Sequence, residues 1–191
     1  GRKSKLSFDG VDNYVECRRL LDSTTWTVEL WLEPDNYSGN KSIFQQYNNT
    51  GDSGRFICAT RDATIDIFQN GVWSVGSVDI SALPFLHIAV VCNNGELASY
   101  VNGNVDINRS SMLTPENTSF VLGGGYGYFA GFQKEVRIWN TARTQQQIQE
   151  NMHKELTGTE EGLVAYYKFD DKSGTTLTDY TSNNNHGTIH G

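Results

Sequence analysis

Proline is scarce in this chain, at 3 of 191 residues. Cysteine is equally rare and odd in number, again 3. An odd count excludes a complete disulfide framework. Cys17, Cys58 and Cys92 each sit in an apolar or alternating run. Buried free thiols are therefore expected, with one bridge left open. No apolar stretch approaches the roughly 20 residues of a membrane-spanning helix, which excludes such a span. Runs of like charge are missing too, and the net charge is −7. Without a basic patch, neither nucleic acid nor an anionic membrane is expected as a partner. The sequence holds no G-x-S-x-G elbow, no P-loop, no H-E-x-x-H and no C-x-x-C, so the commonest nucleophile, nucleotide and zinc signatures are absent. No signal peptide is visible, and the start at Gly1 reads as a piece cut from a longer protein.

Glycine is abundant, at 19 residues, and suits many strands joined by tight turns. Apolar alternation of period 2 dominates the first 140 or so residues. Residues 4–9 place Leu6 and Phe8 on one face. Residues 25–33 set Trp26, Val28, Leu30 and Leu32 against Thr25, Thr27, Glu29, Trp31 and Glu33. Further strands are expected over 55–60, 63–69, 72–78, 118–122 and 130–139. Residues 85–92 (FLHIAVVC) are nearly all apolar, as a strand buried on both faces would be. Asn-Gly pairs at 70–71, 94–95 and 102–103 mark primed hairpin turns. One helix is predicted from about Thr144 to Lys154, with Thr144 and Gln147 spaced as a capping box and Ile148 and Met152 as a narrow apolar stripe. Strands return at 163–170 and in the final GTIH. The fold class expected is all-β, a two-sheet antiparallel sandwich with one short surface helix.

Four segments, LSFDGVDNYVEC (6–17), WTVELWLEP (26–34), LHIAVVCNNGELASYVNGNVD (86–106) and FAGFQKEVRIWNTARTQQQI (129–148), resemble laminin G-like, or concanavalin A-like lectin, jelly-roll domains in the family's order. A fifth, residues 162–191, is similar to a block that usually precedes the family's opening strand. Here it comes last, as in a permuted cut or one period of a tandem array. The resemblance implies a single domain over residues 1–191 that recognises glycans or glycoproteins, often with calcium, in secreted and cell-surface proteins.

Calcium takes six to eight oxygen ligands from carboxylates, amide carbonyls, backbone and water. The acidic net charge suits such a cation. In the family the turn at 9–13 and the loop at 179–187 lie near each other and hold a structural calcium. Carried onto this sequence, the ligands expected are Asp12, Asp179 and Asn183, seconded by Asp9, Asp170 and Asn185. The competing reading is that Asp, Asn and Gly are plain turn residues. The family often has an acid before the closing-strand glutamate, where this chain has Lys134.

Flat rings stack on sugar faces, and small neighbours let a ligand approach the backbone. Tyr126 and Tyr128, set among glycines at 123–127, and Trp73 are therefore candidate sugar-binding residues, with core packing as the alternative. Trp26, Trp31 and Trp139 lie in strong strands and are read as core. Glycoside hydrolases of this fold carry paired acids on one strand. Glu29 and Glu33 share a strand face, but their backbones sit ~13 Å apart. Retaining hydrolysis needs carboxyl groups ~5–5.5 Å apart and inverting hydrolysis ~6.5–9.5 Å. An exposed strand face is expected there instead. His87 is read as a core residue, His186 as a brace of its loop and His153 as a helix-end cation. Sequons at Asn36, Asn40, Asn48, Asn108 and Asn117 are acceptors if the protein is secreted through a glycosylating pathway.

The function expected is a non-catalytic, calcium-stabilised carbohydrate-binding or adhesion module of a larger extracellular or cell-surface protein, contacting glycans and its neighbouring domains. The alternatives are a structural spacer unit of an array, and a polysaccharide hydrolase or lyase.

Overall fold

In the computed structural model, which describes residues 5–48, 53–170 and 174–191, the period-2 patterns become strands and alternate residues meet across a shared core. The strands are β1 (Leu6–Asp9), β2 (Tyr14–Cys17), β3 (Trp26–Pro34), β4 (Asn40–Gln46) and β5 (Phe56–Arg61). They continue with β6 (Thr64–Gln69), β7 (Val72–Ser74), β8 (Leu86–Asn93), β9 (Glu96–Val101) and β10 (Asn104–Arg109). The last are β11 (Phe120–Leu122), β12 (Ala130–Trp139), β13 (Leu163–Tyr167), β14 (Thr176–Leu177) and β15 (Gly187–His190).

They form two antiparallel sheets. A seven-stranded sheet runs β1-β12-β3-β8-β9-β10, with β13 also on β12. An eight-stranded sheet runs β14-β15-β2-β11-β4-β5-β6-β7. The fold is the expected all-β sandwich. At Asn94 and Gly95, φ is +47° and +86°, the left-handed pair that a type I′ hairpin between β8 and β9 requires.

The inner faces of both sheets meet in one cluster that includes Val28, Leu30 and Leu32 of β3, Phe44 of β4, Ile67 of β6 and Phe120 and Leu122 of β11. Trp26 belongs to it and meets Phe56 edge to face at 5.1 Å. Every residue of β8 from Leu86 to Cys92 is buried, as its apolar run predicts. Its outward Ala89 and Val91 are covered by Ile148 of the helix α1 (Gln145–Asn151). Thr144 and Gln147 close the predicted capping box. No helix among the described residues is long and apolar enough to cross a membrane.

The C-terminal strand returns to the N-terminal part of the fold, because β15 pairs with β2 along Thr188↔Glu16, Ile189↔Val15 and His190↔Tyr14. The antiparallel register fixes what else can meet. The 9–13 turn precedes Tyr14, whereas the 179–186 loop precedes Gly187, beyond the Cys17 end of β2. The two loops therefore lie at opposite ends of this strand pair.

Cys17, Cys58 and Cys92 are buried free thiols. Glu29 departs from expectation. Its face of β3 is not exposed, because α1 and the chain after it cover that face, leaving Glu29 1% accessible. Trp139 Nε1 donates to Glu29 Oε2 at 3.0 Å. His87 Nε2 and Arg137 Nη1 lie 3.3 and 3.6 Å from Glu29 Oε1. Arg137 is held in turn by the carbonyls of Asn151 and Lys154, and Trp31 Nε1 donates to the carbonyl of Met152. Glu33 stays at the rim, paired with Lys5 at 2.9 Å.

Candidate functional site

On the outer face of the eight-stranded sheet, alternation leaves the residues the core does not use. Gln45 of β4 pairs with Ile57 of β5, Ile57 with Phe68 of β6, and Phe68 with Trp73 of β7. Trp73 and Phe68 have ring centroids 5.2 Å apart. Tyr126 lies 5.3 Å from Trp73. The Arg61 guanidinium sits 4.1 Å from the Trp73 ring centre and pairs with Asp66 at 3.2 Å. Trp73, Tyr126 and Phe68 are all partly exposed.

Tyr126 and Tyr128 reach this face because the glycine-rich turn folds back over the sheet. Tyr126 N donates to Gln45 Oε1 at 2.9 Å, and Ser42 N to the Gly127 carbonyl at 2.9 Å. The approach is tight, since a Cβ on Gly127 would stand 2.1 Å from the Asn40 carbonyl oxygen. Tyr128 packs beside Gly124, which also abuts Tyr14. Tyr14 stacks on His190 at 4.5 Å. Partly exposed rings thus run across the sheet from β15 to β7. Of these, only Trp73, Tyr126 and Tyr128 stand out in sequence. Tyr14, Phe68 and His190 do not, although YVEC and TIDIFQ already set Tyr14 and Phe68 on the faces opposite Val15 and Ile67.

The six residues expected to bind calcium fall into separate groups. Asp9 Oδ1 accepts from the backbone N–H groups of Val11, Asp12 and Asn13 at 2.9–3.3 Å. These bonds close the turn and hold the Asp9 carboxyl below its usual range, with the Val11 bond the largest cause. Asp12 is exposed on the same turn. Asp170 follows β13, 3.8 Å from Lys168 Nζ. Asp179 is buried and organises its own loop, accepting from Tyr166 N and Thr181 N on Oδ1 and from Thr181 Oγ1 and Asn185 N on Oδ2. His186 braces this loop by accepting from Asp179 N at 3.0 Å. Asn183 and Asn185 direct their Nδ2 groups to the Val164 carbonyl, and they line a cleft shared with Arg18 and Arg19. A cation there would share the cleft with two arginines. Among the described residues no cluster of three or more His, Cys, Asp or Glu side chains could hold a metal. The six residues, as arranged, do not form one donor shell for calcium.

Residues 9–149, most of the chain, match the laminin G family model described as the concanavalin A-like lectin/glucanases superfamily. The chain belongs to this superfamily. In keeping with that membership, a candidate carbohydrate-binding protein from Bacteroides ovatus is similar in structure, with TM-score 0.79 and 22% identity over 98% of this chain and 58% of that one. This chain thus spans little more than half of that protein. Domain 4 of an extracellular arabinanase from Geobacillus stearothermophilus, solved with arabinotriose, has TM-score 0.59 and 23% identity over 69% of this chain and 68% of its own. The carbohydrate-binding module of a Ruminococcus gnavus sialidase, solved with sialyllactose, has TM-score 0.59 and 9% identity over 78% and 98%. At these identities the likeness establishes the lectin/glucanase fold alone. No curated protein matches the chain in sequence.

Proposed function

We infer that this chain is a non-catalytic carbohydrate-binding module of a larger extracellular or cell-surface protein, with the outer face of the eight-stranded sheet as its glycan platform. The observation that carries the reading is the Trp73–Tyr126 pair, two partly exposed rings 5.3 Å apart beside the Arg61–Asp66 ion pair. Rings supply stacking surface, and the adjacent charged groups supply hydrogen bonds that orient hydroxyls. Relatives of the same fold were solved with oligosaccharides, arabinotriose in one and sialyllactose in another.

A spacer role would suit a buried Gly-Tyr-Gly-Tyr turn, but Gly125 is exposed and both tyrosines are partly exposed. A hydrolase would need paired carboxylates in a cleft, but Glu29 lies under α1 with three partners and Glu33 stands at the rim.

Glycan-array and affinity-gel measurements test the proposal. Retention on a glycan is expected, and Trp73→Ala and Tyr126→Ala should each weaken it about tenfold or more, a loss of ~1.4 kcal/mol. Absence of retention on every glycan would remove the lectin reading.

A further inference from the structure

Away from the aromatic face, a cleft of ≈ 540 Å³ opens beyond the Cys17 end of β2, where that strand runs on into Arg18 and Arg19. Besides the two arginines its polar walls are Asp22, Asn140, Asn183 and Asn185. Among the described residues no aromatic side chain lines it. From β2 to β7 there are five strand steps, so at ~4.8 Å per step the cleft stands roughly 24 Å from Trp73.

Its parts are held rigidly. Leu20 N and Leu21 N donate to buried Gln46 Oε1 at 3.2 and 2.7 Å, which fixes the chain just after the arginines. Arg19 Nη2 is anchored on the Pro115 carbonyl at 3.0 Å. Asn140 N donates to the Gly162 carbonyl at 2.8 Å. Asn183 and Asn185 are pinned through Nδ2 to the β13 carbonyls. Asn185 is 3% accessible, and its buried Oδ1 has no donor among the described residues. Arg18 is exposed.

We propose that this cleft binds an acidic sugar, a monosaccharide unit bearing a carboxylate, as a glycan subsite separate from the aromatic face. The chain as a whole is acidic, at −7, yet two arginines and one carboxylate residue line this cleft. A guanidinium presents a planar fork that matches a carboxylate in two-pronged geometry. Side-chain amides both donate and accept, as vicinal hydroxyls require, and Asp22 accepts from a hydroxyl while repelling a second negative charge. With no ring to stack on, recognition here rests on charge and hydrogen bonds. The proposal rests on the glycan-binding reading but uses different residues.

Amide-resolved NMR titration of the full chain tests it, with galacturonate, N-acetylneuraminate, neutral galactose and acetate as probes. One or both acidic sugars should shift residues 18–22, 140, 162–164 and 183–185 saturably and more weakly as salt rises. Galactose and acetate should leave these residues unmoved at the same concentrations. Arg18→Ala removes an exposed side chain, so the fold should persist while affinity falls about tenfold or more. Trp73→Ala should leave this binding intact. Equal shifts with acetate would reduce the cleft to an anion site and overturn the proposal. Equal shifts with galactose would overturn charge recognition. Indifference to Arg18→Ala, or no shift at the cleft with either acidic sugar, would overturn it as well. Loss of cleft binding leaves the Trp73 and Tyr126 measurements to decide the aromatic face independently.

Discussion

Glu29 shows how much one buried carboxylate depends on its partners. Burial alone would raise its pKa, but His87, Arg137 and Trp139 outweigh burial and hold the Glu29 carboxyl below the usual carboxylate range. A lowered folded value means stability that is present above the ordinary glutamate range and lost as pH falls through the folded value. Glu29→Gln keeps the shape but leaves Arg137 without its counter-charge, so a loss of about 3–5 kcal/mol is expected in denaturant unfolding near neutral pH. The variant's stability should also fall less steeply on acidification. The cysteines are read at the same scale. Burial pushes the Cys17 thiol up to about 12 and the Cys92 thiol to about 11, and raises Cys58 as well. Thiol reagents at neutral pH should therefore leave all three untouched until the protein unfolds, as a time course with and without denaturant will show. The burial of the thiols is legible in their apolar runs. The burial of Glu29 is not, because its hydrogen-bond partner Trp139 lies 110 residues away.

Among the elements, β4 escapes the sequence patterns. Its NKSIFQQ has a register shift between Ser42 and Phe44, which breaks the alternation, and it ends in two buried glutamines. These glutamines replace backbone partners. Gln46 accepts from Leu20 N and Leu21 N and donates to the Leu21 and Glu116 carbonyls, and Gln45 holds Tyr126 N. A central strand thus reads as polar. The glycine-rich turn is legible as a turn, but its path over the sheet is not. Gly127→Ala brings a methyl group against the Asn40 backbone and must lift the turn, breaking the Ser42–Gly127 bond. A loss of about 1–3 kcal/mol is expected. Glycan retention should fall while the fold persists, which thermal melts and affinity gels will separate.

For the whole molecule, the pairing of β15 with β2 closes the C-terminal strand onto an N-terminal one and sets the carboxylate and amide loops at opposite ends of that pair. Asp9 Oδ1 and both oxygens of Asp179 are spent on their own turns, and the register keeps the two carboxylates at opposite ends of the strand pair. Melting temperature should therefore be the same in millimolar calcium and in chelator, since only a ion bound by the folded state raises it. A rise with calcium would restore the calcium-stabilised reading that the resemblance implies.

Period-2 alternation, three Asn-Gly turns and a capping box determined by themselves most of the strands other than β4, where three hairpins turn and where the helix starts. These are local choices, set by backbone sterics and by which side chains avoid water. Tertiary structure alone decided which outward faces stay open. It laid α1 over Glu29 and left Trp73 beside Tyr126 at the surface. It also set Arg18 and Arg19 against Asn183 and Asn185. Those outcomes depend on strand order and register between residues far apart in the chain, and local patterning does not encode that pairing.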